Sequence, residues 1–128
     1  MYSSMKSRII VLAAVLFVSS LLALDAHATV LRVVTVQSDN LDAYVQELGR
    51  GQALIKKLGG SAILRVWHAR FAGPDAGTIV ISIEYPDLIT FAHDEKTVTG
   101  TPEFQTWFKG LAKLRKVVSD SLYDELQP

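Results

Sequence analysis

The chain is organised around the stretch SAILRVWHARFAGPDAGTIVISIEYP, Ser61 to Pro86. Two apolar-rich segments, Ala62 to Ala72 and Thr78 to Tyr85, are filled with β-branched and aromatic residues, and Gly73-Pro74-Asp75-Ala76-Gly77 between them supplies the residue types that turns require. This reads as one antiparallel hairpin. Folding it about the joint without a bulge pairs Phe71 with Thr78, Ala69 with Val80, Trp67 with Ser82 and Arg65 with Glu84. The last is an opposite-charge pair, worth a few tenths to about 1 kcal/mol. Because side chains alternate along a strand, Leu64, Val66, His68, Ile79, Ile81, Ile83 and Tyr85 share one face, which has the character of a core face for helices to cover. Arg65, Trp67, Ala69, Phe71, Val80, Ser82 and Glu84 share the other. Two large aromatics beside a charge pair suit a semi-buried chamber or a partner surface better than open water. A one-residue bulge would exchange the two faces.

Upstream of the hairpin, Val30 to Val36 is a strand whose only charge is Arg32. Ser38-Asp39-Asn40 offers helix-capping chemistry, and Leu41, Tyr44, Val45, Leu48, Ile55 and Leu58 form one apolar stripe of the helix that follows, ended by Gly59-Gly60. Gly49 and Gly51 fall inside that helix at a cost of about 1 kcal/mol each, and close packing against the sheet or a kink explains them better than room for a ligand. Downstream, Pro86-Asp87 opens a second helical region carrying Leu88, Phe91 and Ala92; Lys96 to Gly100 interrupts it, and Thr101-Pro102-Glu103 restarts it with a cap, a proline and a first-turn acid. Phe104, Trp107, Phe108, Leu111 and Leu114 then keep helical spacing, an aromatic stripe of the kind that packs a core. Lys116 to Leu126 fits a helix or a strand. The order β, α, β, β, α decides it, because a final strand completes a four-stranded antiparallel sheet with both helices on one face, the α+β split βαβ of a ferredoxin-like fold.

At the other end, Lys6 and Arg8 precede the apolar run Ile9 to Leu24, and Ala26-His27-Ala28 has the small-x-small form of a cleavage site. Residues 1–28 read as a signal peptide cut after Ala28, with 29–128 as the single ferredoxin-like domain and a periplasmic or secreted destination. The competing reading is an uncleaved anchor; Ser19 and Ser20 interrupt the run, which falls short of the roughly 20 residues of a spanning helix, and no membrane contact is expected once it is cleaved. With 13 basic and 13 acidic residues in 128, and no Lys/Arg block, nucleic acid is not an expected partner. The absence of cysteine excludes a lipidated cysteine, a disulfide framework and a thiolate metal site. A domain this small, lacking disulfides, gains from a subunit interface.

The element order, the Gly73-to-Gly77 joint, Glu84-Tyr85-Pro86-Asp87 leading into Phe91-Ala92, and the Thr101-Pro102-Glu103-Phe104 restart resemble the dimeric α/β-barrel superfamily, which includes antibiotic-biosynthesis-type monooxygenases and the NIPSNAP and EthD-like proteins. The resemblance spans nearly all of 29–128 and implies a homodimer in which two sheets pack face to face, with any small molecule held between the open sheet face and helices or loops. Members include cofactor-free oxygenases, haem-degrading enzymes and isomerases, so fold alone selects no reaction.

Candidate sites follow from residue chemistry. His68 and His93 are the two histidines beyond the leader and the natural proton carriers, although a histidine on a core face is more often structural. They share no metal-ligand spacing, so neither a metal site nor a bound cofactor is expected. Arg65 and Glu84 could anchor a small carboxylate or phenol in a chamber walled by Trp67, Phe71 and Ser82. No Gly-x-Ser-x-Gly elbow or phosphate loop is present. The expected function is binding of a small apolar or aromatic molecule, or a structural role; the alternative is a cofactor-independent monooxygenase or isomerase acting on an aromatic or polyketide-like compound, with His68 or His93 moving a proton.

Overall fold

In a computed structural model, residues 28–126 are described; the leader expected over 1–28 lies outside them except for its last residue. The elements are β1 (Val30–Gln37), α1 (Leu41–Lys57), β2 (Ile63–His68), β3 (Ile79–Tyr85), α2 (Leu88–Asp94), α3 (Pro102–Ala112) and β4 (Lys116–Asp124). Four strands form one antiparallel sheet in the order β2-β3-β1-β4, with the helices on one side. This is the ferredoxin-like α+β arrangement, and the ambiguous segment after Lys116 is its edge strand.

Local chemistry sets the element ends. The Asn40 side chain accepts from the backbone N–H of Ala43, and Gly59, with φ of 82°, lets the chain leave α1 through the left-handed region. Asp87 and Thr101 cap α2 and α3 by accepting from Thr90 and Phe104. Between those helices the interruption foreseen over Lys96 to Gly100 is a wide π turn, Glu95–Thr99. Gly51 is a contact glycine: a Cβ there would sit 2.0 Å from Cζ2 of Trp107, whose indole N–H donates to the Glu47 carbonyl at 3.2 Å, binding α1 to α3. A Cβ on Gly49 would meet nothing within 4 Å.

The hairpin keeps the expected faces and changes the expected register. Trp67 faces Val80, Arg65 faces Ser82 and Ile63 faces Glu84. The pairing continues outward through Ala69, whose N–H donates to the Thr78 carbonyl, so the connection spans eight residues, 70–77, and includes a 3₁₀ turn at Gly73–Asp75. The five-residue joint is therefore corrected by three residues. Phe71 leaves the sheet and stands fully exposed in the loop, and Arg65 and Glu84 become diagonal neighbours instead of a facing pair. The two-residue shift preserves each side chain's face because the strand period is two.

A bulge in β4 has the opposite consequence. Thr35 of β1 faces Ser119 while Val36 faces Val117, leaving Val118 as the extra residue. Beyond it the sides are exchanged, so Val117 and Asp120, three residues apart, both point to the helix side.

The helix side holds two buried clusters. One joins Val34, Val36, Ile79 and Ile81 of the sheet to Tyr44, Leu48 and Leu111; the other joins Val30 and Tyr85 to Ile55, Ala62 and Val98. Leu64 and Ile83 pack against both.

Candidate functional site

A cavity of about 360 Å³ opens between the two clusters, lined by residues of both. The sheet floor is Val34, Leu64, Ile81, Ile83 and Tyr85; α1 contributes Leu48 and Ile55; α3 contributes Phe104, Trp107, Phe108 and Leu111; the π turn contributes Glu95, Val98 and Thr99. The aromatic stripe of α3 thus does two jobs. Leu111 is buried in the core while Phe104, Trp107 and Phe108 wall the cavity, with Phe104 tilted against Trp107 at 5.3 Å between ring centroids and stacked on Phe108 at 6.2 Å.

Charge enters this wall from both ends of the fold. Arg32 of β1 meets Asp120 of β4 in a two-pronged ion pair, Nε to Oδ1 at 2.9 Å and Nη2 to Oδ2 at 2.6 Å. The hydrogen bonds from Arg32 hold the Asp120 carboxyl below its ordinary range, with the Arg115 charge adding to the effect; the same contact raises the Arg32 guanidinium. Arg115, between α3 and β4, donates from Nη1 to the Tyr44 hydroxyl at 3.2 Å and lies over the rings of Phe108 and Tyr44, 5.4 and 6.0 Å from their centroids. Its Nε–H is buried and finds no acceptor among the described residues. Across the cavity, Asp94 is 4% exposed and accepts from the Ser61 backbone N–H at 3.0 Å. Burial, reinforced by the carboxylates of Glu95 and Asp94, pushes the Tyr85 phenol up to about 12, so it is a neutral donor at physiological pH.

The residues singled out from sequence lie elsewhere. Trp67 and Ser82 are together on the open face, the indole N–H donating to the Ser82 hydroxyl at 2.7 Å, with Arg65 and Glu84 on the same side. None of these, nor Phe71, borders the cavity. Among the described residues that face is uncovered, Trp67 being 52% exposed, and the cavity formed within one subunit is on the helix side. His68 is exposed at the end of edge strand β2, and His93 is exposed on α2 with Nδ1 3.6 Å from the buried Asp94 carboxylate. The structure brings neither histidine to the cavity nor the two together. What the sequence reading passed over is Arg32, Asp94, Arg115 and Asp120. Arg32 carried a readable signal, since it alternates with Val30, Val34 and Val36 on the buried side of β1; Asp120 was hidden by the bulge, and Arg115 by its position outside any periodic segment.

No known family profile matches this sequence, and no curated protein does. Solved structures do. An uncharacterised NIPSNAP-like domain protein from Burkholderia xenovorans superposes with a TM-score of 0.59 at 18% identity, over 80% of this chain and 87% of that one. The chain shares that fold. A conserved protein of unknown function and possible oxidoreductase from Bacteroides thetaiotaomicron gives 0.55 at 14% identity, over 78% of this chain and all of the other. SnoaB, a cofactor-independent oxygenase from Streptomyces nogalater, gives 0.55 at 17% identity, over 79% and 94%. At these identities the likeness is one of architecture, the ferredoxin-like fold that the three structures share with this chain.

Proposed function

We propose that the chain is an exported homodimeric binding protein that takes a small, largely apolar or aromatic molecule into the cavity between its sheet and helices. The observation that carries this reading is the cavity itself: about 360 Å³, walled mainly by aliphatic and aromatic side chains with a few charged groups, in a domain small enough that its interior would otherwise be packed solid. The dimer rests on the uncovered sheet face, where Ile63, Trp67 and Tyr123 are each about half exposed. A second copy of the same face would cover them through a two-fold, self-complementary contact. Export rests on the basic start, apolar run and Ala26-His27-Ala28 site.

Native mass spectrometry of the protein recovered from the periplasmic or secreted fraction tests the reading. The expected species is a dimer of chains beginning at Thr29 that releases a small organic molecule on denaturation. A monomer retaining residues 1–28, with nothing bound, would overturn it. Oxygen-dependent conversion of the released compound would replace binding by catalysis, with Asp94, Glu95 or Tyr85 at the wall as the groups within reach of the guest.

A further inference from the structure

We propose that Arg115 is the anion-recognition residue of the cavity, and that the guest is an aromatic or apolar molecule bearing one carboxylate. This rests on the binding reading above and gives the guest its polar end. A guanidinium carries five N–H donors and cannot shed its charge in a protein. Arg115 borders the cavity, spends Nη1 on the neutral Tyr44 hydroxyl, and lies over the rings of Phe108 and Tyr44. Its Nε–H is buried without an acceptor among the described residues, a costly state for a donor on a cation.

The carboxylate that could have satisfied it is engaged elsewhere. Asp120 accepts at Oδ1 and Oδ2 from Nε and Nη2 of Arg32, so among the described residues Arg115 is the cation at the wall left without an anionic hydrogen-bond partner. Two oxygens on one carbon match a pair of adjacent N–H donors on a guanidinium. A single uncommitted cation balances a single negative charge, which selects a carboxylate over a phosphate dianion. Orientation follows as well. Asp94 and Glu95 also line the cavity and repel an anion, so the carboxylate sits at Arg115 and the apolar body lies along Phe104, Phe108 and the sheet floor.

Calorimetric titration of the purified protein with 2-naphthoate and with its neutral near-isostere 2-acetylnaphthalene tests this. The expected result is that naphthoate binds at least about tenfold more tightly, the size of one charged hydrogen bond. Arg115→Gln should bring the ratio to about one and leave the ketone's affinity within about twofold, while Arg115→Lys, which keeps charge and loses the fork, should retain only part of the preference. Tyr44→Phe removes the competing hydroxyl and should keep the preference. A wild-type ratio near one, or a preference that survives Arg115→Gln, would overturn the assignment while leaving the cavity as an apolar site. The wild-type comparison decides the point even if a variant fails to fold. Binding of neither probe by the wild type would overturn both the assignment and the binding reading beneath it.

Discussion

The two faces of the sheet are built from the same strands and come to opposite ends. On the helix side, the alternate residues of β1 and β3 are aliphatic, and α1 and α3 close over them, held together by the Gly51–Trp107 contact. They close incompletely, leaving a cavity with an ion pair at its wall and a guanidinium one of whose N–H groups finds no acceptor among the described residues. On the open side the alternate residues are mixed: Trp67 bonded to Ser82, Ile63 beside them, Arg65 and Glu84 set diagonally, Tyr123 on the far edge strand. None of the described residues covers them. The contrast teaches that large aromatics in a sheet do not mark where a cavity forms within one subunit. Enclosure depends on what lies above a face, and here the helices lie above the plainer one.

Three perturbations would break or sharpen that contrast. The largest effect is expected at Trp67. In the proposed dimer it is the aromatic anchor of the shared surface, so Trp67→Asp should weaken association by about 2 kcal/mol or more, roughly thirtyfold, as measured by sedimentation equilibrium, while the helix-side fold stays intact by circular dichroism. An unchanged dimer would show that the open face is not the interface. Next comes a pair of substitutions two residues apart in α1. Gly51→Ala drives a methyl into the Trp107 ring and should cost roughly 1–3 kcal/mol, whereas Gly49→Ala meets open space and should stabilise by up to about 1 kcal/mol through helix propensity. Chemical denaturation of both variants checks the sign; the same sign for both would mean that α1 and α3 are not in contact at Gly51.

The smallest effect belongs to the Arg32–Asp120 pair, whose side chains are 36% and 40% exposed. Asp120 is held below its ordinary range by the Arg32 hydrogen bonds, so its folded form favours the ionised carboxylate. That contribution is complete above the unfolded carboxylate pKa of about 4 and is lost as pH falls through the lower folded value. Solvent screening limits it to a few tenths to about 1 kcal/mol. Asp120→Asn should be less stable by that amount at neutral pH and should converge on the wild type in acid, as followed by urea denaturation across pH. A constant difference at every pH would assign the loss to packing instead.

The element order was legible because each boundary is written in local chemistry: Asn40 and Thr101 as caps, Gly59 as a left-handed exit, Pro102 at the start of α3. The identity of β4 came from topology, since its own residues fit either period. Hairpin faces were also legible, but not the partners within them. The Gly73-to-Gly77 cluster marks where the chain turns, whereas the number of residues in the connection depends on how far the ladder persists, here to Ala69 and Thr78. The site was the least legible part. Its walls are ordinary core residues, indistinguishable in sequence from those that pack solid, and its charged groups come from a β1 position, a junction and a bulged strand. Of these only Arg32 breaks a pattern visible along the chain.

A strand counts in twos, and β4 contains one odd number. Were Val118 to take a place in the ladder instead of bulging out of it, the far half of the strand would turn through half a turn relative to β1. Asp120 would then stand beside the aromatic side of the sheet and Arg32 would be left among aliphatic neighbours without its counter-charge. Arg115, on the near side of the bulge, would keep its place. Holding one residue out of the ladder therefore decides which guanidinium at the wall is neutralised from within the protein and which is left, in the proposed reading, to meet the guest.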